Sequence, residues 1–216
     1  MIFPSAQNGT HPMLTRRFLL MSVTAALPAL ALPCSPARAQ GLEQATGFIQ
    51  QTMQDLAVVV NGPGSIAEKQ RKLQVVVDRT VDVDKVARFC LGRFWRTASA
   101  AQQNEYLDLF HRVLMINITG KVGEYQGVTF IIGRAQPRDG GEVLVSTTVN
   151  RPNTPPAKVD WLVSAETGAL KIIDVIAEGT SLRLTQRSDY SAYLSHNNNS
   201  VQALIDALRQ QASQPG

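Results

Sequence analysis

The sequence predicts an α+β domain, a curved antiparallel meander of four strands wrapped by helices. Three observations carry that expectation. Up to about Gly123 the apolar residues recur at three- and four-residue spacing, the period of an amphipathic helix. From Gly127 the period changes to two, in four short runs joined by turn-rich connections, as in hairpin-linked strands. After Ser181 helical spacing returns, so helices close the chain over the sheet. With 216 residues, 44% hydrophobic and 18% charged, the chain has material for one domain and one sizeable core.

Residues 1–39 read as a leader. Arg16 and Arg17 precede an apolar run from Phe18 to Leu32, too short to span a bilayer comfortably, and Ala37-Arg38-Ala39 offers a small-x-small cleavage site. Thr15-Arg16-Arg17-Phe18-Leu19-Leu20 is compatible with twin-arginine export, although paired basic residues also serve the general route. The expectation is a mature, exported chain of residues 40–216 forming a single domain. Cys34 follows Pro33, a poor fit to a lipoprotein cleavage box, so no lipid anchor is expected. Of the 21 basic and 17 acidic side chains, Arg16, Arg17 and Arg38 lie in the leader, leaving the mature chain near +1. That removes the main support for nucleic-acid binding, which needs a basic stripe to neutralise phosphates. Cys90 is then the only cysteine, so no intramolecular disulfide forms and packing alone must hold the domain.

The elements follow in order. Leu42, Ala45, Ile49, Met53, Leu56 and Val60 make a helical stripe broken by Asn61-Gly62-Pro63-Gly64. Ser65 and Glu68 form a capping box for a second helix with Ile66, Leu73, Val76 and Val77 as its expected buried stripe. Asp82 is the expected N-cap of a third, in which Val83, Val86, Ala87 and Cys90 share a face and Gly92 ends the run. Ser99 and Gln102 cap a long fourth helix, with Tyr106, Leu109, Phe110, Val113 and Leu114 on its apolar face, ending near Gly120 or Gly123. Strands follow around Val128–Ile132, Val143–Val149, Val159–Val163 and Leu170–Ala177, then helices over about Ser181–Ser195 and Val201–Leu208.

Two stretches carry a family resemblance. The run A-R-F-C-L-G-R-F-W-R-T-A-S-A-A-Q-Q-N-E-Y-L-D-L-F resembles a segment of the MlaC, or toluene-tolerance, family of periplasmic phospholipid carriers. Leu91, Gly92, Arg93, Phe94, Trp95, Arg96, Ala98, Ser99 and Gln102 fit it, with Tyr106 and Phe110 at the aromatic helix positions. Near the C-terminus, D-V-I-A-E-G-T-S-L-R-L-T-Q-R-S-D-Y resembles the family's second motif through Asp174, Val175, Glu178, Gly179, Ser181, Leu182, Arg187, Ser188 and Tyr190. The resemblance implies a fold related to the nuclear-transport-factor-2-like cone, with a lipid cavity between sheet and helices. It implies a monomeric carrier of phospholipid, or of hopanoid as in hopanoid-associated members, working in the periplasm. It also implies an inner-membrane ABC transporter with an MCE-domain ring and an outer-membrane lipoprotein–porin complex as partners. Members often carry Thr-Tyr late in the long helix, where this chain has Asn117-Ile118, a change that bears on which cargo fits.

A carrier needs little chemistry: an apolar cavity, few polar groups inside, and a mouth that leaves the headgroup in water. At roughly 0.8 kcal/mol per methylene, a lipid of about 30 methylenes gains on the order of 20 kcal/mol by burial, so no covalent bond, cofactor or metal is called for. The expected lining residues on the strands are Phe130, Ile132, Val145, Val149, Trp161, Ile173 and Val175. On the helices they are Phe89, Trp95, Phe110, Leu114 and Ile118. A one-residue slip of register would invert the strand set. No catalytic motif is present, and the mature chain holds only His111 and His196. Asp174 is the one carboxylate with two readings. It is a general base beside a ligand in a cone-fold enzyme, or it accepts bonds from the Gly179–Ser181 turn or pairs with an arginine such as Arg187.

Overall fold

The computed structural model describes residues 36–213, with the order α1 (Pro36–Asn61), α2 (Ile66–Thr80), α3 (Val83–Leu91), α4 (Ala100–Thr119), β1 (Thr129–Pro137), β2 (Val143–Asn150), β3 (Ala157–Ser164), β4 (Lys171–Ala177), β5 (Thr180–Ser181), α5 (Leu182–His196) and α6 (Val201–Ala212). Residues 1–35 of the expected leader lie outside the described residues, and Ala37-Arg38-Ala39 falls in the first turn of α1.

The helix starts follow their local chemistry. Ser65 with Glu68 and Ser99 with Gln102 each form the reciprocal capping box, and the Asp82 carboxylate accepts from Lys85 N at 3.0 Å. α3 ends at Gly92, whose φ of +61° and ψ of −127° suit glycine, and a single 3-10 stretch, Gly92–Arg96, turns the chain into α4.

The sheet is an antiparallel meander in the order β1-β2-β3-β4-β5, with five strands where the sequence predicts four. The added strand is only two residues long, which is why no alternation betrays it. Thr180 and Ser181 fold back on Ala177 and Ile176 through Glu178 and Gly179, which both take positive φ (+48° and +82°). That is the left-handed two-residue hairpin an E-G pair can support. Two bulges interrupt the pairing. One lies between Ile132 and Ala135 on β1, and the other makes Ile173 the extra residue between Ile172 and Asp174 on β4. A bulge bends the strand that carries it and resets which side chains face inward.

Register places Phe130, Ile132, Val145, Thr147, Val149, Val159, Trp161, Val163, Ile172 and Val175 on one face of the sheet. α1 covers one part of that face with Ala45, Ile49 and Met53. Leu73 and Val77 of α2 and Met115 of α4 cover the part around Val149. A separate helical core joins α3, α4, α5 and α6 around fully buried Tyr106, Leu194 and Ile205. The two regions meet beside β4, where Val81, between α2 and α3, makes a parallel bridge to Ile172.

Candidate functional site

The inward sheet face is built from cross-strand pairs: Phe130 with Val149, Val145 with Trp161, and Trp161 with Val175. Opposed side chains of this kind lie close enough to pack as a continuous apolar surface. Val145 is fully buried, whereas Phe130, Ile132, Trp161 and Val175 are half-buried, so large apolar side chains sit under this face without being sealed. Leu114 and Ile118 reach the same interior from α4.

The interior is apolar because its polar atoms are turned on one another. Thr147 is the polar residue at the middle of the face, 1% exposed, and its hydroxyl donates to Val159 O at 2.9 Å. The Trp161 indole N–H donates to that same hydroxyl oxygen at 2.9 Å. The tryptophan therefore presents a hydrocarbon body with its one donor already satisfied, the arrangement a buried indole requires. Among the described residues the unpartnered buried side-chain atoms are Asp160 Oδ1 and Arg183 Nε, and both belong to other surfaces. Asp160 pairs across the sheet with Ser146 and Ile176, on the opposite face.

Other expected lining residues are placed elsewhere. Phe110 and Trp95 pack in or against the helical core. Phe89 carries two guanidiniums against its ring, with Arg183 Cζ 4.4 Å and Arg187 Cζ 5.0 Å from the centroid. Ile173 is the bulge residue, so Ile172 instead takes the position opposite Val163. Leu56 and Val81, absent from the expected set, touch both sheet-side clusters, and Val159 joins one of them. Val159 stood in the alternating run and was legible; Val81 sits in a junction with no periodic signal.

Asp174 is 6% exposed and every bond it makes is local. Oδ1 accepts from Val175 N at 2.8 Å and Arg183 N at 3.2 Å, and Oδ2 accepts from Ser181 Oγ at 2.6 Å. Arg183 Nε lies 3.3 Å from Oδ2, an ion-pair distance at an angle that makes no hydrogen bond. The ionic partner is thus Arg183 rather than Arg187, whose guanidinium stacks on Phe89 and would crowd a Cβ at Gly92 from 3.2 Å. Asp174 ties β4, the β5 hairpin and the first turn of α5 together.

The two sequence motifs, separated by residues 111–173, form one corner around this carboxylate. Cys90 Sγ lies 3.6 Å from Arg183 O, and burial pushes its thiol up to about 12, with the Asp174 charge adding to the effect. Tyr106 and Tyr190 meet edge-on at 6.3 Å, with Phe110 completing the trio, and the Tyr106 hydroxyl donates to Ala87 O at 2.8 Å. Burial holds both phenols well above the ordinary tyrosine range.

A family profile described as MlaC protein matches residues 49–210, from α1 to α6 and through both motifs. The chain belongs to the MlaC family. Its fold is also similar to a solved structure described as the phospholipid-binding protein from Ralstonia solanacearum in complex with a phospholipid. That likeness has a TM-score of 0.70 at 21% identity, covering 79% of this chain and 97% of that one. Within this MlaC-family chain most motif residues hold the corner, while Val175 of the second motif joins the other half-buried apolar side chains under the sheet.

Proposed function

We propose that this MlaC-family protein binds phospholipid by its acyl chains in the interior between the inward sheet face and α1, α2 and α4. On this reading it acts as a carrier and performs no covalent chemistry. The observation that carries it is the inward face itself: Phe130, Trp161 and Val175 are large, apolar and half-buried, and the polar groups between them are satisfied within the sheet. Tails placed there lose contact with water and meet no unpaired donor. The likeness in fold to a phospholipid-bound protein supports the ligand class. The use of Asp174 as a brace supports a binding role over the enzyme reading, because a general base needs a lone pair aimed at its substrate.

The wider role we propose is the one the family resemblance implies. The protein is exported to the periplasm by its leader and works as a monomer. It exchanges lipid with an inner-membrane MCE-domain ABC transporter and an outer-membrane lipoprotein–porin complex. Release then needs a partner that offers the tails a second apolar path.

The test is lipid extraction from protein purified from membranes, with native mass spectrometry of the intact complex. The expected result is one bound phospholipid; a polycyclic hopanoid would replace the proposed cargo. Trp161→Asp and Phe130→Asp should each abolish loading while circular dichroism stays native, since a charge in an apolar cavity is costly. Full loading in both variants would overturn the assignment.

A further inference from the structure

We propose that the cleft between α1 and α2 is the mouth of the interior, where Arg79 takes the phosphate of the bound phospholipid by exchanging it for Asp55. This rests on the reading of the protein as a phospholipid binder and adds where the headgroup sits and what recognises it. The cleft has a volume of about 450 Å³ and is lined by Phe48, Gln51, Thr52 and Asp55 of α1 with Arg79 and Thr80 of α2. A space of that size suits part of a small amphipathic ligand.

Its floor rests on the apolar sheet-side interior. Phe48 packs on the cluster that also holds Trp161 and Val175. Leu56 and Val81, which follow Asp55 and Thr80 in the chain, touch both sheet-side clusters. Thr52 and Thr80 are buried, and their hydroxyls donate to Phe48 O and Val76 O of their own helices, each at 2.8 Å. No free hydroxyl proton is left for the cleft.

Its rim is charged and exchangeable. Arg79 and Asp55 pair across the cleft with side chains 59% and 27% exposed, the setting in which an ion pair contributes little. A phosphodiester offers the guanidinium two oxygens that share one negative charge, an edge it can grip with two parallel bonds. Asp55 would not be orphaned by the exchange, because Gln51 Nε2 already donates to its Oδ1 at 2.9 Å. The backbone beneath Arg79 is held in place. Lys171 Nζ donates to Arg79 O at 2.6 Å, and His111 Nε2 of α4 lies 2.7 Å from Asp78 Oδ1. Only the arginine side chain has to move. An apolar floor with a guanidinium at its rim matches a ligand with tails inside and a phosphate at the surface.

The experiment measures uptake of a tail-labelled phospholipid from phosphatidylethanolamine–phosphatidylglycerol vesicles, beside a diacylglycerol with the same tails and no phosphate. Arg79→Gln should lower phospholipid uptake about tenfold, the scale of one lost charge-assisted bond, and leave diacylglycerol uptake unchanged. Asp55→Asn should act in the opposite direction and raise phospholipid uptake, because the guanidinium no longer has a competing carboxylate. A phospholipid carrying a diazirine in its headgroup should label the segments around 48–55 and 79–80. Equal losses for both lipids in both variants, or labelling elsewhere with lipid still bound, would overturn the mouth and leave the carrier reading standing. Inorganic phosphate that binds at Arg79 as tightly as the lipid does would make this a free-anion site and also overturn it. A wild-type protein that takes up neither lipid would remove both readings.

Discussion

Replacing Asp174 by asparagine separates a brace from a working carboxylate. The substitution keeps the shape of the side chain, and the amide oxygen can still accept from Val175 N and Arg183 N. The amide nitrogen then takes the place of Oδ2. There it can donate to Ser181 Oγ, but it faces the Arg183 guanidinium donor to donor. Three charge-assisted bonds become neutral ones, each weaker by about 0.5–1 kcal/mol, so the loss should total about 1.5–3 kcal/mol. That is less than the 3–5 kcal/mol typical of deleting one member of a buried pair outright, because shape and two backbone bonds survive. In a domain of this size the melting temperature should fall by about 5–10 °C. Urea unfolding should show a lower midpoint with an unchanged slope, since the surface exposed is the same. Phospholipid content should stay at the wild-type level. Unchanged stability would refute the brace, and a stable but lipid-free variant would move Asp174 into the binding site.

Two further outcomes follow from the motif corner. Gly92→Ala should cost about 1–3 kcal/mol, because φ +61° with ψ −127° strains any residue with a Cβ and the new methyl would press on the Arg187 guanidinium; thermal melts read it directly. Cys90, Tyr106 and Tyr190 all hold their protons more tightly folded than unfolded, so the unfolded chain loses them first as pH rises. Their contribution to stability should be complete below about pH 9 and decline above it, the Cys90 part being gone once its own folded value near 12 is passed. Denaturation midpoints across that range test the decline. Thiol labelling at pH 8 should be slow until denaturant is added.

What could be read from the chain alone is what local chemistry governs. Ser65–Glu68, Asp82 and Ser99–Gln102 mark helix starts because a cap satisfies N–H groups within a few residues of itself. Gly92 marks an end because its conformation is a property of one residue. The alternation through Phe130, Val145, Val149 and Trp161 named a face because strand geometry sends every second side chain the same way. Tertiary structure decided the rest. β5 is too short to have a period, and it exists because Thr180 and Ser181 find partners on β4. The bulge at Ile173 shifts the inward position to Ile172, a shift set by pairing with β3 and not by any residue of β4 alone. Choosing Arg183 over Arg187 for Asp174 depended on where the first turn of α5 lands against Phe89. The same holds for the two motifs, whose meeting in space no local pattern announces. In space they clamp α3 and α5 together, while the half-buried apolar surface lies across the sheet with residues such as Leu56 and Val81 that no motif contains. Caps and periods are short-range consequences of backbone geometry, whereas membership of an interior depends on which distant segments fold over one another.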